Sequence, residues 1–187
     1  MGLIGSGAAR VLTAVLAALL VASPVCASTE SARVFELVGQ RLGYMKEVAR
    51  YKASTGTAVE DRYREAIVID KAKKRAEKLG LAPASIEGFF RAQMAAAKVI
   101  QYRYLADWTL SQRMPGGKPA DLEVELRPIL NQLGDEIVLA IKVYLDTGKR
   151  FGDEQLGEFL RIVEVEKLDE SDEIALYESM RAITLAK

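Results

Sequence analysis

The apolar residues of this chain recur with the period of an α-helix over almost the whole of residues 29–186. An α-helix turns by about 100° per residue, so side chains three and four positions apart share one face. No stretch alternates with the period of two that strands require. The chain is therefore predicted to be all-α, a single-domain bundle of about six helices. We place these helices at residues 29–54, 57–79, 83–110, 121–147, 153–164 and 171–186.

Local signals set several of the predicted helix ends. Gly56 follows the first helix, where glycine readily adopts the left-handed conformation that ends a helix. Thr57 and Glu60 have the spacing of a capping box that would open the second helix. Residues 111–120 contain two prolines and two glycines and form the one clear loop. Pro128 marks a bend or a start within the fourth helix.

The N-terminal residues have the pattern of an export signal. Arg10 precedes an almost unbroken apolar run over residues 11–21, and small residues lead to a predicted cleavage site after Ala27. That run is too short to span a bilayer, and no later segment is long and apolar enough to do so. We therefore expect residues 28–187 to form the mature domain, in the periplasm or secreted and free of the membrane. Cys26 leaves a lipoprotein open as an alternative.

The residue types that the chain lacks exclude several classes of active site. Histidine is absent, and the one cysteine lies in the predicted signal. Zinc sites built on Cys or His, Ser-His-Asp triads, Cys-His pairs and disulfides are therefore excluded from the mature chain. The formal net charge is zero with both signs interspersed, so no polybasic surface indicates nucleic acid or anionic membrane as a partner. Chemistry must come from Arg, Lys, Asp, Glu, Gln, Ser, Thr or Tyr.

Two cations project from the apolar face of the first predicted helix. Arg41 lies in the middle of that face, and Lys52, about three turns later, falls on it again. Burying an unpaired charge costs several kcal/mol, so both cations need partners. An anionic ligand or carboxylates of other helices could supply them, and Lys52, near the helix end, could instead extend to solvent. The face consists of Val34, Leu37, Val38, Leu42, Met45, Val48 and Ala49.

Gln101 interrupts the apolar face of the third predicted helix in a similar way. An amide at the centre of such a face must form hydrogen bonds, most commonly with other groups of the protein. On the second helix, Asp61, Arg64 and Glu65 share a face through their i, i+3, i+4 spacing. Taken alone, that arrangement indicates a solvated network of ion pairs.

The combination of these residues resembles the all-helical chorismate mutase family. The segments QRLGYMKEVARYK and VEDRYREAIV carry the family's charged residues at the family's spacings, in the order Arg41, Lys52, Asp61, Arg64 and Glu65. Gln101 then falls where the family has a glutamine or a glutamate. The segment AAAKVIQYRYLADW and the predicted export signal resemble the secreted, periplasmic subclass in particular.

This resemblance implies a fold in which three long helices form the core of the active site and one chain supplies the whole site. In ELRPILNQL, Arg127 matches an arginine that, in the secreted subclass, replaces one borrowed from the partner chain in cytoplasmic enzymes. The resemblance implies that Arg41, Arg64 and Arg127 bind the two carboxylates of chorismate. It also implies a homodimer.

The resemblance also implies roles at the reacting bonds. Lys52 and Gln101 would donate hydrogen bonds to the ether oxygen of chorismate as it rearranges to prephenate. Glu65 would accept one from the ring hydroxyl, and Asp61 would support that end of the site. Ala97 departs from the family, because relatives often have Ser or Thr there, in contact with a substrate carboxylate. No cofactor is implied, because the reaction is intramolecular.

Two other functions stay open at this point. An isochorismate-pyruvate lyase uses a similar cationic pocket, and the products would distinguish it from a mutase. A secreted helical binding or effector protein that has lost catalysis could keep the same residues. The chorismate mutase assignment predicts an isomerase of the shikimate pathway that serves phenylalanine and tyrosine biosynthesis.

Overall fold

The structure, a computed structural model, describes residues 30–187, and these form an all-α bundle without a β-strand. The predicted export signal and its cleavage site lie outside the described residues. The fold class predicted from the sequence is thereby confirmed. The α-helices are α1 (Glu30–Gly43), α2 (Met45–Thr55), α3 (Arg62–Lys78), α4 (Pro83–Ser111), α5 (Arg127–Asp146), α6 (Leu156–Ile162) and α7 (Glu170–Arg181).

Two of these helices replace the single long helix predicted at the start of the domain. Tyr44 alone separates α1 from α2, and its carbonyl accepts a hydrogen bond from the backbone N–H of Val48 at 3.1 Å. Tyr44 itself keeps a right-handed conformation, with φ of −70° and ψ of −10°. The apolar face predicted for one helix is buried along both, with Val34, Leu37, Val38, Leu42, Met45, Val48 and Ala49 all in the core.

The predicted capping box of Thr57 and Glu60 is wrong. The helix begins later, and Asp61 caps it, with Oδ1 accepting a hydrogen bond from the backbone N–H of Arg64 at 2.9 Å. The Thr57 hydroxyl contacts the Thr55 hydroxyl at 2.8 Å instead. Two sites along this stretch have the residue types of a cap, and the one nearer the apolar run forms it.

The fourth and last predicted helices also differ at their ends. A π-helical turn, Leu122–Leu126, precedes α5, and Pro128 occupies the first turn of α5, where its missing N–H costs no hydrogen bond. The last helix stops at Arg181, five residues early. Beyond it, Leu185 forms an antiparallel bridge with Leu81, and this backbone pairing replaces the final helical turn.

The helices pack around α4, which contacts α2, α3 and α7, while α1 lies against α5. At one end of the bundle, side chains from α1, α5, α6 and α7 and from the connection between α5 and α6 form an aromatic cluster. Full burial of such a side chain stabilises a fold by about 1.5–3 kcal/mol. None of the helices in the described part of the chain is long and apolar enough to cross a membrane. The aromatic cluster consists of Phe35, Tyr144, Phe151, Phe159 and Tyr177.

Candidate active site

A cleft with many charged side chains lies between α1, α2, α3, α4 and the start of α5, and we call it the cationic cleft. It brings together all of the site residues selected from the sequence, although they are up to 86 positions apart. Lys98 of α4 and Asn131 of α5 also line it. The selected residues are Arg41, Lys52, Asp61, Arg64, Glu65, Gln101 and Arg127.

Arg41 is buried in the last turn of α1, with only 6% of its surface exposed. Its Nη1 donates a hydrogen bond to Oε1 of Gln93 at 2.9 Å, and its buried Nε has no partner among the described residues. Burial, together with the nearby charge of Arg64, lowers the pKa of Arg41 to about 10. The guanidinium is therefore still charged at neutral pH, and its protein partner is neutral.

Lys52 is also buried, with 8% of its surface exposed, so the alternative that it extends to solvent is wrong. Its Nζ donates a hydrogen bond to the backbone carbonyl of Val59 at 2.7 Å, in the connection between α2 and α3. Burial lowers the pKa of Lys52, and the carboxylate of Asp61 partly offsets that effect. A neutral carbonyl, rather than a carboxylate, therefore holds this ammonium.

Arg64 and Arg127 are held by partners from other elements, not by one solvated network on α3. Nη2 of Arg64 donates to Oδ1 of Asn131 at 2.7 Å, and burial and the charge of Arg127 lower the pKa of Arg64. Nη2 of Arg127 lies 3.3 Å from Oδ2 of Asp61, and its Nη1 pairs with Glu123. Asp61 thus caps α3 with one oxygen and contacts Arg127 with the other, which links α3 to α5 at the cleft.

Glu65 faces a lysine that the sequence analysis did not select. Nζ of Lys98 lies 3.3 Å from Oε1 of Glu65 and 3.7 Å from Oε1 of Glu60. This contact fixes the Glu65 carboxylate at the wall of the cleft between α3 and α4. The lining of the cleft therefore contains five cations and two carboxylates, which makes it strongly attractive to an anion.

Gln101 is 4% exposed and is only partly satisfied by the protein. Its Nε2 donates to the backbone carbonyl of Ala97 at 2.9 Å and also contacts Sδ of Met45 at 3.6 Å. Sulfur is a weak acceptor, so one N–H of this amide remains available to a stronger one. The Oε1 atom is buried without a partner among residues 30–187.

Unsatisfied polar atoms are concentrated at this cleft. Four buried side-chain nitrogen or oxygen atoms in the described residues lack a hydrogen-bond partner, and two of them, Nε of Arg41 and Oε1 of Gln101, belong to residues that line the cleft. A third, Nε2, belongs to Gln93, which contacts Arg41 from outside the cleft. Buried polar groups are nearly always paired, so such atoms gathered at one site indicate that a ligand completes it. No group of three or more metal-ligating side chains occurs within residues 30–187.

Sequence reasoning missed three polar residues at or beside the cleft, namely Gln93, Lys98 and Asn131. Gln93 lies one turn before Ala97 and two turns before Gln101, so the same helical spacing that selected Gln101 could have found it. Asn131 lies one turn after Arg127 and could have been found in the same way. No sequence signal marked Lys98, since a lysine on a long helix is most often solvated.

Comparisons with known proteins agree on one family. The family description "Chorismate mutase type II" matches residues 32–102. The secreted chorismate mutase of Yersinia pestis is 39% identical over 151 residues, which cover 80% of this chain and 79% of the relative. The monofunctional chorismate mutase of Enterobacter agglomerans is 36% identical over 146 residues, covering 78% of this chain and 79% of the relative.

Solved structures show the same similarity in three dimensions. The crystal structure of the secreted chorismate mutase from Yersinia pestis superposes with a TM-score of 0.76 at 38% identity, covering 82% of this chain and 97% of that one. The chorismate mutase from Burkholderia thailandensis gives a TM-score of 0.68 at 26% identity, over 82% of this chain and 99% of that one. The match therefore extends well beyond the residues of the cleft.

Proposed function

This chain belongs to the chorismate mutase family, and on that premise we propose that it is an isomerase that rearranges chorismate to prephenate. The observation that carries the proposal is the cationic cleft. Its two most deeply buried cations, Arg41 and Lys52, donate hydrogen bonds to neutral oxygens of the protein and not to carboxylates. A dianionic substrate would supply the missing counter-charge.

The reaction requires positioning and electrostatics more than proton transfer. Chorismate carries two carboxylates and rearranges within one molecule, so neither a nucleophile nor an external group has to be supplied. The protein must hold the compact reactive conformer and stabilise the negative charge that grows on the ether oxygen as its bond breaks. Fixed cations and amide donors in a cleft of low dielectric constant are suited to both tasks.

Three arginines would bind the two carboxylates. The planar fork of a guanidinium matches a carboxylate with two parallel hydrogen bonds. Arg41 at the end of α1 and Arg64 on α3 approach the cleft from different elements, and Arg127 approaches from α5. Anchoring both carboxylates from separate helices would restrict the substrate to one conformer, which supplies the entropic part of the catalysis.

Lys52 and Gln101 would stabilise the ether oxygen. Lys52 contributes a full charge, whose effect is strong because the ammonium is buried. Gln101 contributes an N–H that contacts only the sulfur of Met45 within the protein. The ether oxygen of chorismate is a better hydrogen-bond acceptor than this sulfur, so the N–H would donate to it when the substrate binds. The second contact of Nε2, to the carbonyl of Ala97, would keep the amide oriented during this exchange.

Glu65 would accept a hydrogen bond from the ring hydroxyl of chorismate. Its contact with Lys98 keeps the carboxylate at the wall of the cleft, where the ring of the substrate would lie. Asp61 would act on the arginines, because it caps the helix that carries Arg64 and contacts Arg127. These two carboxylates only partly offset the five cations that line the cleft, so an excess of positive charge remains for a dianionic ligand.

We further propose that the protein is exported to the periplasm or secreted as a homodimer, after cleavage behind Ala27. The pattern of residues 11–27 and the secreted relative from Yersinia pestis support export. We place the reaction in phenylalanine and tyrosine biosynthesis, because prephenate is their shared precursor. Mass analysis of protein exported from the full chain would test the cleavage, and sedimentation would test the dimer.

The proposed activity is tested by the loss of chorismate absorbance after addition of protein expressed from the full chain. Prephenate is identified by its conversion in acid to phenylpyruvate. We expect turnover in the parent and in Lys74→Ala, an exposed matched control, and a rate lower on the order of 10²- to 10³-fold in Lys52→Ala. A folded parent that leaves chorismate unchanged would favour a silent binding protein. Release of pyruvate from isochorismate, without any prephenate from chorismate, would favour a lyase.

A further inference from the structure

Gln93 lies in the middle of α4 and is completely buried, with 0% of its surface exposed. Its side chain does not line the cationic cleft, so it is outside the set of residues that could contact a substrate. A glutamine in such a position loses its hydration without reaching a ligand, which costs free energy unless its amide serves another group. The group that it contacts is Arg41.

The geometry of this contact determines which edge of Arg41 is free. Oε1 of Gln93 accepts a hydrogen bond from Nη1 at 2.9 Å. In a guanidinium, Nε–H and one N–H of Nη2 point in parallel from the edge on the opposite side from Nη1. The hydrogen bond to Gln93 does not use that edge, and its Nε is buried without a partner in the described residues. It has the spacing that a carboxylate needs for two parallel hydrogen bonds.

The neutrality of the partner is equally informative. A carboxylate in place of the amide would hold the guanidinium at least as firmly, but it would also neutralise the charge before substrate arrived. The Gln93 amide orients Arg41 and leaves its positive charge available. Burial and the neighbouring Arg64 lower the pKa of Arg41, yet it stays protonated at neutral pH, so this charge is present when the cleft is empty.

We propose that Gln93 is a positioning residue that holds Arg41 with its Nε–Nη2 edge directed at a carboxylate of the substrate. The inference rests on the proposed function, since it names how one of the substrate anchors of that site is oriented. Gln93 acts only through Arg41. Its removal should therefore affect binding of the dianion more than the rate of the bound complex.

A double-mutant cycle tests this dependence. In the parent background we expect Gln93→Leu to lower kcat/KM by about 10- to 100-fold, mainly through a higher KM, because Arg41 loses its orienting acceptor. In an Arg41→Lys background, which has no forked edge to orient, the same substitution should cost less than about threefold. Equal losses in both backgrounds would show a general structural role and would overturn the proposal.

Gln93→Glu provides a second test, which remains valid if leucine at this position prevents folding. It keeps the acceptor and the volume but adds a charge, so we expect kcat within about threefold of the parent and a KM raised by about 10-fold. An unchanged KM would overturn the proposal. Circular dichroism of each variant checks that it is folded. If the folded parent shows no turnover, both the proposed function and this inference are wrong. If the parent turns over chorismate and the kcat/KM of Gln93→Leu equals that of the parent, only the inference is wrong.

Discussion

The two ends of the bundle differ in how completely their buried polar groups are paired. In the aromatic cluster, Phe35 and Phe159 meet edge to face with ring centroids 5.2 Å apart, and Phe159 and Tyr177 lie 4.9 Å apart. The tyrosine hydroxyls there are satisfied, since that of Tyr177 donates to the carbonyl of Gly152 at 2.6 Å and that of Tyr144 to the carbonyl of Arg150 at 2.9 Å. None of the buried polar atoms that lack a partner within residues 30–187 belongs to this cluster.

The cationic cleft buries charges whose partners are incomplete. Arg41 and Lys52 are as deeply buried as many core residues, but neutral oxygens hold them, and unpaired polar atoms remain on Arg41 and Gln101. Such an arrangement costs stability until a ligand arrives. The comparison shows that the aromatic cluster stabilises the bundle, while the buried charges of the cleft lower its stability and provide a preformed site for an anion.

Removal of an aromatic side chain should have the largest effect, and on stability alone. We expect Phe159→Ala to lower the free energy of unfolding by about 3–5 kcal/mol, because it leaves a cavity in a tightly packed cluster. Urea denaturation measures the change, with the partly exposed Leu139→Ala as a control of smaller effect. The folded fraction should keep its kcat/KM within about threefold. A large loss of activity in protein that is still folded would contradict the prediction that the aromatic cluster affects stability alone.

Lys52→Met should have the opposite effect. We expect the rate to fall on the order of 10²- to 10³-fold, as when an oxyanion donor is removed. The midpoint of unfolding should stay the same or rise, because methionine has a similar shape and does not require a buried charge. Turnover and thermal unfolding of the same sample measure both quantities, with Lys74→Met as the exposed control. A clear loss of stability would mean that the lysine is a structural group.

The two ends also differ in how far the sequence predicted them. Helical periodicity was sufficient for the fold class and for most helix positions, since burial of an apolar face follows directly from residue spacing. It could not show that α1 and α2 are divided at Tyr44, nor that Asp61 rather than Thr57 caps α3. Such choices depend on single turns, where alternatives differ by about 1 kcal/mol.

The cleft was predictable where a polar residue interrupts an apolar face. Arg41, Lys52 and Gln101 could be selected in this way, and the resemblance to a family added Arg127, whose place beside Asp61 no local pattern indicates. Neutral partners from distant helices could not be predicted. The Arg64–Asn131 contact joins residues 67 positions apart, and only the packing of α3 against α5 brings them together.

Asn131 offers a smaller test of the cleft. We expect Asn131→Leu to raise KM by about 10-fold, because Arg64 loses the oxygen to which its Nη2 donates at 2.7 Å. The adjacent Gln132→Leu is the matched control, since that exposed amide contacts Glu136 instead. Steady-state kinetics on both variants measure the difference. Equal KM values for the two would show that Asn131 does not orient Arg64.

The smallest expected effect is on pH dependence, and it again separates the two ends. Burial lowers the pKa of Lys52 below its ordinary value of 10.5 and that of Arg41 to about 10, and both groups must be protonated to hold an anion. We therefore expect kcat/KM to be nearly constant around neutral pH and to fall by about two- to threefold as the pH approaches the lowered pKa of Lys52. Gln101 does not titrate, so it adds no acidic limb.

The packing of the aromatic cluster should not change over the same pH range. Burial raises the pKa of Tyr177 above its ordinary value of 10.0, so its contribution to stability is fully present below pH 10 and is lost progressively as the pH rises from there through the raised value. Circular dichroism should thus stay unchanged while kcat/KM falls. A Lys52→Arg variant should move the alkaline limb to higher pH, because arginine holds its proton more strongly. A fall in helicity that coincides with the fall in activity would show that unfolding, not titration of the cleft, sets the alkaline limit.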